Sequence, residues 1–292
     1  MAFTRLDPAC IACLIGKHLH AAPKDAPQET QVAYMQRMLR LLADADPAQG
    51  APVLVSAITA LRGEMFGEKE DFTQEKLRFN ALMLGMEAEI AARIGAAQDP
   101  LRAAVQYAMI GNYIDFGAMD SVDEGTLTAM MEDSPRFIPQ QAALDALRAD
   151  LSCAKRLVYL TDNCGEVVMD KLFLALVRRL WPQIEATVIV RGAPVLNDAT
   201  LEDAQQVGLD RVAHVMGNGS AIAGTCLPDI SAQARAQIEA ADVIIAKGQA
   251  NFETLRHCGL NVYYIFLCKC QLFAERFDVP RLQGMLLRDA DS

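Results

Sequence analysis

Apolar residues in the first half of the chain recur with the period of an α-helix. Between about residues 29 and 150 they repeat at every third and fourth position, which places them on one face of a helix. Pro52, Pro100 and Pro139 stand where three of these segments begin. The pattern predicts helices at 31–43, 52–66, 72–96, 100–112 and 139–151. We therefore expect residues 1–150 to form an all-helical region that acts as a cap.

The pattern changes after Lys155, where apolar runs rich in β-formers alternate with helical stretches. Nearly unbroken apolar runs are typical of strands that are covered on both faces. The strand runs lie at 157–161, 186–191, 211–216, 243–246 and 262–268, and the helical stretches at 167–181, 199–207 and 230–240. Such alternation predicts βαβ units. We expect residues 151–292 to form the α/β domain, a three-layer α/β/α sandwich with a mostly parallel sheet.

Polar and glycine residues follow the first four strand runs. Asp162 and Asn163 come directly after the first run, and Gly165 and Glu166 come next. The later clusters lie at 191–198, 217–220 and 247–253. Each cluster alone is compatible with an ordinary turn, since Asp, Asn and Gly are common there. Because the carboxyl ends of parallel strands meet at one edge of a sheet, we interpret the four clusters as one crevice.

The side chains of this crevice predict a metal and a phosphate. Asp162, Asn163 and Asp198 offer the hard oxygen ligands that suit Mg²⁺ or Mn²⁺. Arg191 and Lys247 offer positive charge for phosphate oxygens. A metal and cations around a phosphate stabilise the charge of a displacement and activate a water molecule. This combination predicts hydrolysis of a phosphate ester.

We expect a water molecule to attack phosphorus in line, with Asp162 or Glu166 as the base that accepts its proton. Lys247 and Arg191 would stabilise the negative charge of the transition state. A covalent aspartyl-phosphate route of the haloacid-dehalogenase type needs a second Asp two residues after the first. That position is Cys164, so the sequence does not support such a route.

Charge, cysteine content and the lack of long apolar runs bear on the partners and the cellular compartment that we expect. The net charge is −10, which disfavours nucleic acid and anionic membrane as partners. No apolar run at the amino terminus resembles a signal peptide, and none approaches the ~20 residues that span a bilayer. We therefore expect a cytoplasmic protein with reduced thiols. The sequence leaves the oligomeric state, the native metal and the physiological substrate open.

Two local features leave alternatives open. Cys10 and Cys13 form a CxxC motif that, together with Cys268 and Cys270, could form a second metal or thiol site, although buried unreactive cysteines are more common. The segment 111–117, GNYIDFG, is either a helix end followed by a turn or a loop that leans over the active site. In the second case Asn112 and Asp115 lie near the substrate.

Three of these clusters together resemble a known family. DNCGE at 162–166, RGAPVLNDAT at 191–200 and KGQANFET at 247–254 are similar, in the same order, to motifs of the DUF89 family. This family comprises metal-dependent damage-control phosphatases and is related to the ARMT1-like metal-binding domain. The resemblance covers nearly the whole chain, and the cysteine pairs are similar to those of a cysteine-containing, mostly microbial branch.

The resemblance implies a phosphatase of small phosphorylated metabolites, including damaged or surplus sugar phosphates and phosphopantetheine-type compounds. It implies a cofactor among Mg²⁺, Mn²⁺, Co²⁺ and Ni²⁺ on Asp162, Asn163 and Asp198. It also implies phosphate or substrate contacts, which would come from Glu166, Arg191, Asn197, Lys247, Gly248 and Asn251. The alternative is a protein that binds a metal and a phosphometabolite in the same crevice without catalysis.

Overall fold

The computed structural model describes residues 6–19, 21–67, 71–117 and 122–289. The chain divides into two compact units, Met1–Asp71 and Phe72–Ser292. No helix in these described ranges is long and apolar enough to cross a membrane.

The first unit is helical. It contains α1 (Pro8–His18), α2 (Gln28–Ala43) and α3 (Ala51–Phe66). Asp7 caps α1, because its side chain accepts a hydrogen bond from the backbone N–H of Ala9 at 2.8 Å. Tyr34 and Met38 of α2 and Ile58 of α3 are fully buried in the core of this unit.

The second unit begins with four helices that precede its sheet. These are α4 (Thr73–Ala96), α5 (Pro100–Gly111), α6 (Glu124–Glu132) and α7 (Gln141–Cys153). Asp99 caps α5 through the backbone N–H of Arg102, with Pro100 at the first helical position. From Leu101 to Gly111 almost every residue of α5 is buried, because α5 packs against other helices and the sheet. A helix that is apolar all round is a core helix.

A six-stranded sheet forms the centre of the second unit. Its strands are β1 (Arg156–Leu160), β2 (Glu185–Val190), β3 (His214–Gly217), β4 (Val243–Lys247), β5 (Val262–Leu267) and β6 (Gly284–Arg288). The spatial order is β3-β2-β1-β4-β5-β6. The first five strands are parallel, and β6 pairs antiparallel with β5. An α-helix connects each strand to the next along the chain. These helices are α8 (Glu166–Leu180), α9 (Leu201–Val207), α10 (Ala232–Glu239), α11 (Gln249–Leu255) and α12 (Gln271–Phe277).

The two faces of the sheet are covered by different helices. Leu157 and Tyr159 of β1 belong to a core that also includes residues of α4, α5 and α8. Val158 and Leu160 belong to a second core with residues of α10, α11 and α12. Successive side chains of a strand point to opposite faces, so the sheet is the middle layer of three. The predicted α/β/α sandwich with a mostly parallel sheet is confirmed.

The predicted elements agree with the observed ones except where they are short. Prediction omitted α6, α11, α12 and β6, none of which exceeds nine residues. The strand predicted to begin at residue 211 begins at His214 instead, because Leu209–Arg211 forms a 3₁₀ turn.

Secondary structure changes from helices alone to alternating strands and helices between Cys153 and Arg156, near the predicted boundary at 150. The helices α4 to α7 nevertheless belong to the same compact unit as the sheet. That residues 1–150 and 151–292 form two separate domains stays a prediction.

Candidate functional site

The strand order places a crevice between β1 and β4. The chain proceeds from β1 towards β2 and β3 on one side and from β4 towards β5 on the other. In open α/β sheets, ligands bind at such a reversal, outside the carboxyl ends of the strands. Asp162 and Asn163 follow β1, and Lys247 is the last residue of β4. These three of the residues predicted from the sequence therefore lie at the crevice, whereas the cluster at 217–220 follows β3, which lies two strands away from β1.

Backbone hydrogen bonds join the segment after β1 to the segment before α9. Asn163 and Asp198 form an antiparallel β-bridge. The backbone N–H of Ala199 donates to the carbonyl of Asp162 at 2.7 Å, and that of Cys164 to the carbonyl of Asn197 at 2.8 Å. This pairing brings Asp162 and Asn163 next to Asp198, although Asp162 and Asp198 are 36 positions apart in the sequence.

Gly248 is required beside Asp162. Its backbone has φ +82°, and a Cβ built on it would lie 1.9 Å from Oδ2 of Asp162. Only glycine combines this left-handed conformation with so close an approach. The glycine after β4 thus allows the carboxylate of Asp162 to lie against the backbone of the neighbouring strand's loop.

Asp162 is buried, with 4% of its surface exposed. Its Oδ2 accepts hydrogen bonds from Nδ2 of Asn112 and Nδ2 of Asn163, each at 2.8 Å. Its Oδ1 lies 3.8 Å from Nη2 of Arg191, which is too long for a hydrogen bond. Burial and the nearby charges of Asp198 and Glu166 raise the pKa of Asp162 well above its usual range.

Asn112 connects three parts of the site. It caps the carboxyl end of α5, and its Oδ1 accepts from the backbone N–H of Leu267 at 3.1 Å. Its Nδ2 donates to Asp162 and, at 3.0 Å, to Oε2 of Glu166. Asn112 thus ends the helix and also contacts the carboxylates of the crevice, while a position of the segment 111–117 over a substrate stays a prediction.

Lys247 lies between two carboxylates of α8. Its Nζ donates to Oε1 of Glu166 at 2.5 Å and to Oδ1 of Asp170 at 2.7 Å, and all three side chains are fully buried. The same Oδ1 of Asp170 accepts from the hydroxyl of Tyr159 at 2.7 Å. Burial lowers the pKa of Lys247, but the two carboxylates outweigh it and raise the pKa to about 12. Lys247 is therefore a cation at neutral pH.

Arg191 pairs with Asp198 on the opposite side of the crevice. Its Nε donates to Oδ2 of Asp198 at 2.5 Å, and the guanidinium is only 1% exposed. Its Nη2 is buried and has no hydrogen-bond partner among the described residues. Burial raises the pKa of Asp198 to about 6, although the guanidinium of Arg191 opposes that shift.

Asp115 and Lys269 form a further ion pair near these groups. Nζ of Lys269 lies 2.6 Å from Oδ2 of Asp115, and Lys269 is 2% exposed. The charges of both residues act on the pKa of Asp162. Sequence reasoning missed Lys269 and Asp170. For Lys269 a signal existed, since it follows the end of β5 as Asp162 follows the end of β1.

Asn197 and Asn251 hold loops in place. Nδ2 of Asn197 donates to the carbonyl of Ile114 at 3.0 Å, and its Oδ1 accepts from the N–H of Phe116 at 3.1 Å. Nδ2 of Asn251 donates to the carbonyls of Thr161 at 3.1 Å and of Lys247 at 2.7 Å. Asn251 therefore ties the ends of β1 and β4 together. A substrate contact by either asparagine stays a prediction.

The charges of the site do not balance. Among the described residues, four buried carboxylates (Asp162, Glu166, Asp170 and Asp198) and the half-buried Asp115 face three cations (Arg191, Lys247 and Lys269), which leaves a formal net charge of −2. Buried negative charge requires compensation. Asp162, Asp198 and the amide oxygen of Asn163 fit a hard divalent cation, which would supply two positive charges.

This donor set contains only two carboxylates. In the described part of the chain, no three His, Cys, Asp or Glu side chains are placed to hold a metal by themselves. The amide of Asn163 is the third predicted donor; its Nδ2 donates to Asp162 and Glu166, so Oδ1 is the atom left for a metal. Further ligands would have to be water or substrate, as is usual for Mg²⁺ sites.

The predicted cysteine site has no further support. Cys10 and Cys13 lie on α1 in the first unit, and Cys268 and Cys270 follow β5 in the second. Burial raises the pKa of Cys268 to about 11, which disfavours a reactive thiolate at neutral pH. A second site on these four residues stays a prediction.

Comparisons with known proteins show the family to which the chain belongs. Residues 6–283 match the family model described as damage-control phosphatase ARMT1-like domain. The chain belongs to this family. It is 27% identical to a damage-control phosphatase of Archaeoglobus fulgidus, covering 94% of this chain and 96% of the relative. It is 29% identical to one of Pyrococcus horikoshii, covering 83% of each chain.

A solved structure shows the same architecture. The crystal structure of a DUF89 family protein from Pyrococcus horikoshii matches with a TM-score of 0.76 and 27% identity, covering 97% of this chain and 99% of that one. Membership of the ARMT1-like family confirms the resemblance seen in the three sequence motifs and suggests the use of a divalent metal.

Gly248→Ala tests the close approach to Asp162, with Gly259→Ala as the matched control. Gly259 has a similar φ of +79° but open space where a Cβ would lie. Both variants should lose about 1 kcal/mol or more of stability through backbone strain, and Gly248→Ala should lose more than Gly259→Ala because its Cβ meets Asp162. Only Gly248→Ala should also lose the rise in melting temperature on addition of Mn²⁺, because it displaces Asp162. An equal response of the two variants to Mn²⁺ would contradict this account.

The raised pKa of Asp198 predicts a pH effect on the metal-free protein. Between the usual value of 3.8 and about 6, the folded protein binds a proton that the unfolded chain does not, so stability falls as pH rises through that window. Relative to Asp198→Asn, the wild type should be more stable at pH 5 than at pH 7.5 by about 1 kcal/mol. Urea unfolding in a chelator measures this, and a pH-independent difference would refute the shift.

Proposed function

We propose that the protein is a divalent-metal-dependent phosphatase that hydrolyses phosphomonoesters of small metabolites. The observation that carries this proposal is an excess of carboxylates beside a buried guanidinium N–H that has no acceptor among the described residues. With the half-buried Asp115 included, the formal charges of the described residues of the site sum to −2, and the N–H without an acceptor is on the buried Nη2 of Arg191. A divalent cation together with a phosphate group would offset the charge and supply the acceptor. The names of the relatives, which are damage-control phosphatases, support the same activity.

Asp162, Asn163 and Asp198 would hold the cation. When bound, such a cation offsets phosphate charge and makes a water molecule more acidic. Mg²⁺, Mn²⁺, Co²⁺ and Ni²⁺ are the candidates to test.

Arg191 and Lys247 would bind the phosphate and stabilise its transition state. Nε of Arg191 is held by Asp198, which fixes the plane of the guanidinium and leaves Nη2 for a phosphate oxygen. The ammonium of Lys247 is held by Glu166 and Asp170. Fixed positive groups in a site that excludes water stabilise developing charge without reorganising.

The two candidate bases differ in their surroundings. Both oxygens of Glu166 accept hydrogen bonds, Oε1 from Lys247 and Oε2 from Asn112 and Asn163. Oδ1 of Asp162, in contrast, accepts none from the described residues. Asp162 is therefore a candidate to take the proton of the attacking water, as the water oxygen bonds to phosphorus and the ester oxygen leaves, but its Oδ1 is also the oxygen left for the cation. Glu166 would orient Lys247 and Asn163.

The family resemblance supports a proposal for the substrate class. Damaged or surplus sugar phosphates and phosphopantetheine-type compounds are the leading candidates. Asn112 and Asp115, whose segment lies beside Asp162, are candidates for contacts to the non-reacting part of the substrate. Gly248 and Asn251 would shape the site by holding the backbone after β4.

A panel of phosphorylated metabolites tests the proposal through phosphate release, with each of the four metals and with a chelator. We expect metal-dependent release that falls at least about a hundredfold in Asp162→Ala and Asp198→Ala, since each loses a metal ligand. Asp150→Ala is the matched control. Asp150 also binds several donors, Tyr263, Asn261 and Arg288, but lies away from the crevice.

Asp150→Ala should lose stability and keep its turnover per folded molecule. Undiminished release in Asp162→Ala would overturn the assignment of the site. Stabilisation by metal and phosphate without release from any compound would instead favour the non-catalytic binding protein.

A further inference from the structure

Asp170 lies on α8 one turn after Glu166, so the two carboxylates share one face of the helix. Both reach the ammonium of Lys247, which ends β4. From β1, the hydroxyl of Tyr159 donates to the same Oδ1 of Asp170 that accepts from Lys247. A chain of contacts thus runs from Tyr159 through Asp170 and Lys247 to Glu166. All four side chains are completely buried.

This arrangement is more than an ion pair needs. One carboxylate neutralises an ammonium, and even a well-paired buried ion pair is weak evidence for stability. Here two carboxylates contact one ammonium, and the second of them leaves its Oδ2 buried without any hydrogen-bond partner in the described residues. Burial raises the pKa of Asp170 to about 6, because it disfavours the ionised form of this carboxylate.

The geometry fixes the direction of Lys247. An ammonium has three N–H groups and no acceptor. Two of them are directed at Glu166 and Asp170, which determines where the third points. Within the described ranges no third acceptor contacts Nζ, whose strand ends at the crevice between β1 and β4.

We propose that Asp170 and Tyr159 are positioning residues that hold Lys247 so that its third N–H faces the phosphate of the substrate. Tyr159 fixes the carboxylate of Asp170, and Asp170 fixes the ammonium. Neither contacts the phosphate. The inference rests on the proposed phosphatase function and adds two residues to it, one in the middle of a strand and one in the middle of a helix.

Tyr159→Phe is the first variant, because it removes one hydroxyl without changing the shape of the core. Tyr263→Phe is the matched control. Tyr263 is also fully buried in the sheet, and its hydroxyl also donates to a carboxylate, Oδ2 of Asp150, at 2.7 Å. That pair lies near the amino end of β5, away from the crevice. Both variants should lose similar stability in urea unfolding.

Kinetics on the best metabolite of the panel, with saturating Mn²⁺, separate the two variants. We expect kcat of Tyr159→Phe to fall about tenfold with KM changed less than about threefold, since a misplaced ammonium stabilises the transition state less. Tyr263→Phe should keep the kcat of the wild type. An equal kcat in the two variants would overturn the inference.

Asp170→Asn and Asp150→Asn form a second pair, for use if Tyr159→Phe fails to fold. Asp170→Asn should lower kcat at least as much as Tyr159→Phe, and Asp150→Asn should not. A kcat of Asp170→Asn equal to that of Asp150→Asn would also overturn the inference. If the wild type has no phosphatase activity, the proposed function itself is refuted. If all variants are active with the same kcat, only the inference about Asp170 and Tyr159 is refuted.

Discussion

The gathering of four buried carboxylates and the half-buried Asp115 at one edge of the sheet is the constraint on which the rest of the site depends. A buried carboxylate is stable only where donors and cations offset its charge. Arg191, Lys247 and Lys269 offset three of the five charges, and the remaining two are what a divalent cation would neutralise. The proposed chemistry rests on this deficit together with the guanidinium N–H of Arg191 that has no acceptor among the described residues.

Asparagines hold this charged cluster in shape. Asn112 connects the end of α5 to Asp162 and Glu166, Asn163 pairs with the segment of Asp198, and Asn251 joins the ends of β1 and β4. A carboxamide both donates and accepts, so it can link a carboxylate to a backbone N–H without adding charge. The helices before the sheet therefore take part in the site directly, through the residue that ends α5.

The sequence predicts most of this arrangement because residue type and strand position together carry the information. Asp162, Lys247 and the residues around them follow apolar strands, and parallel strands bring their carboxyl ends to one edge. Asp170 could not be found this way, because an acid in the middle of an amphipathic helix usually faces solvent. Only the packing of α8 on β1 and β4 buries it. Short elements such as α12 and β6 contain too few residues for a period to be recognised.

The most direct test of the central claim is calorimetric titration of the metal-free protein with Mn²⁺, in the absence and presence of inorganic phosphate. The missing charge and the free N–H of Arg191 predict one Mn²⁺ per chain, tighter binding of each ligand when the other is present, and loss of both effects in Asp198→Asn. Binding of phosphate that is independent of Mn²⁺, or Mn²⁺ binding that survives in Asp198→Asn, would contradict the account.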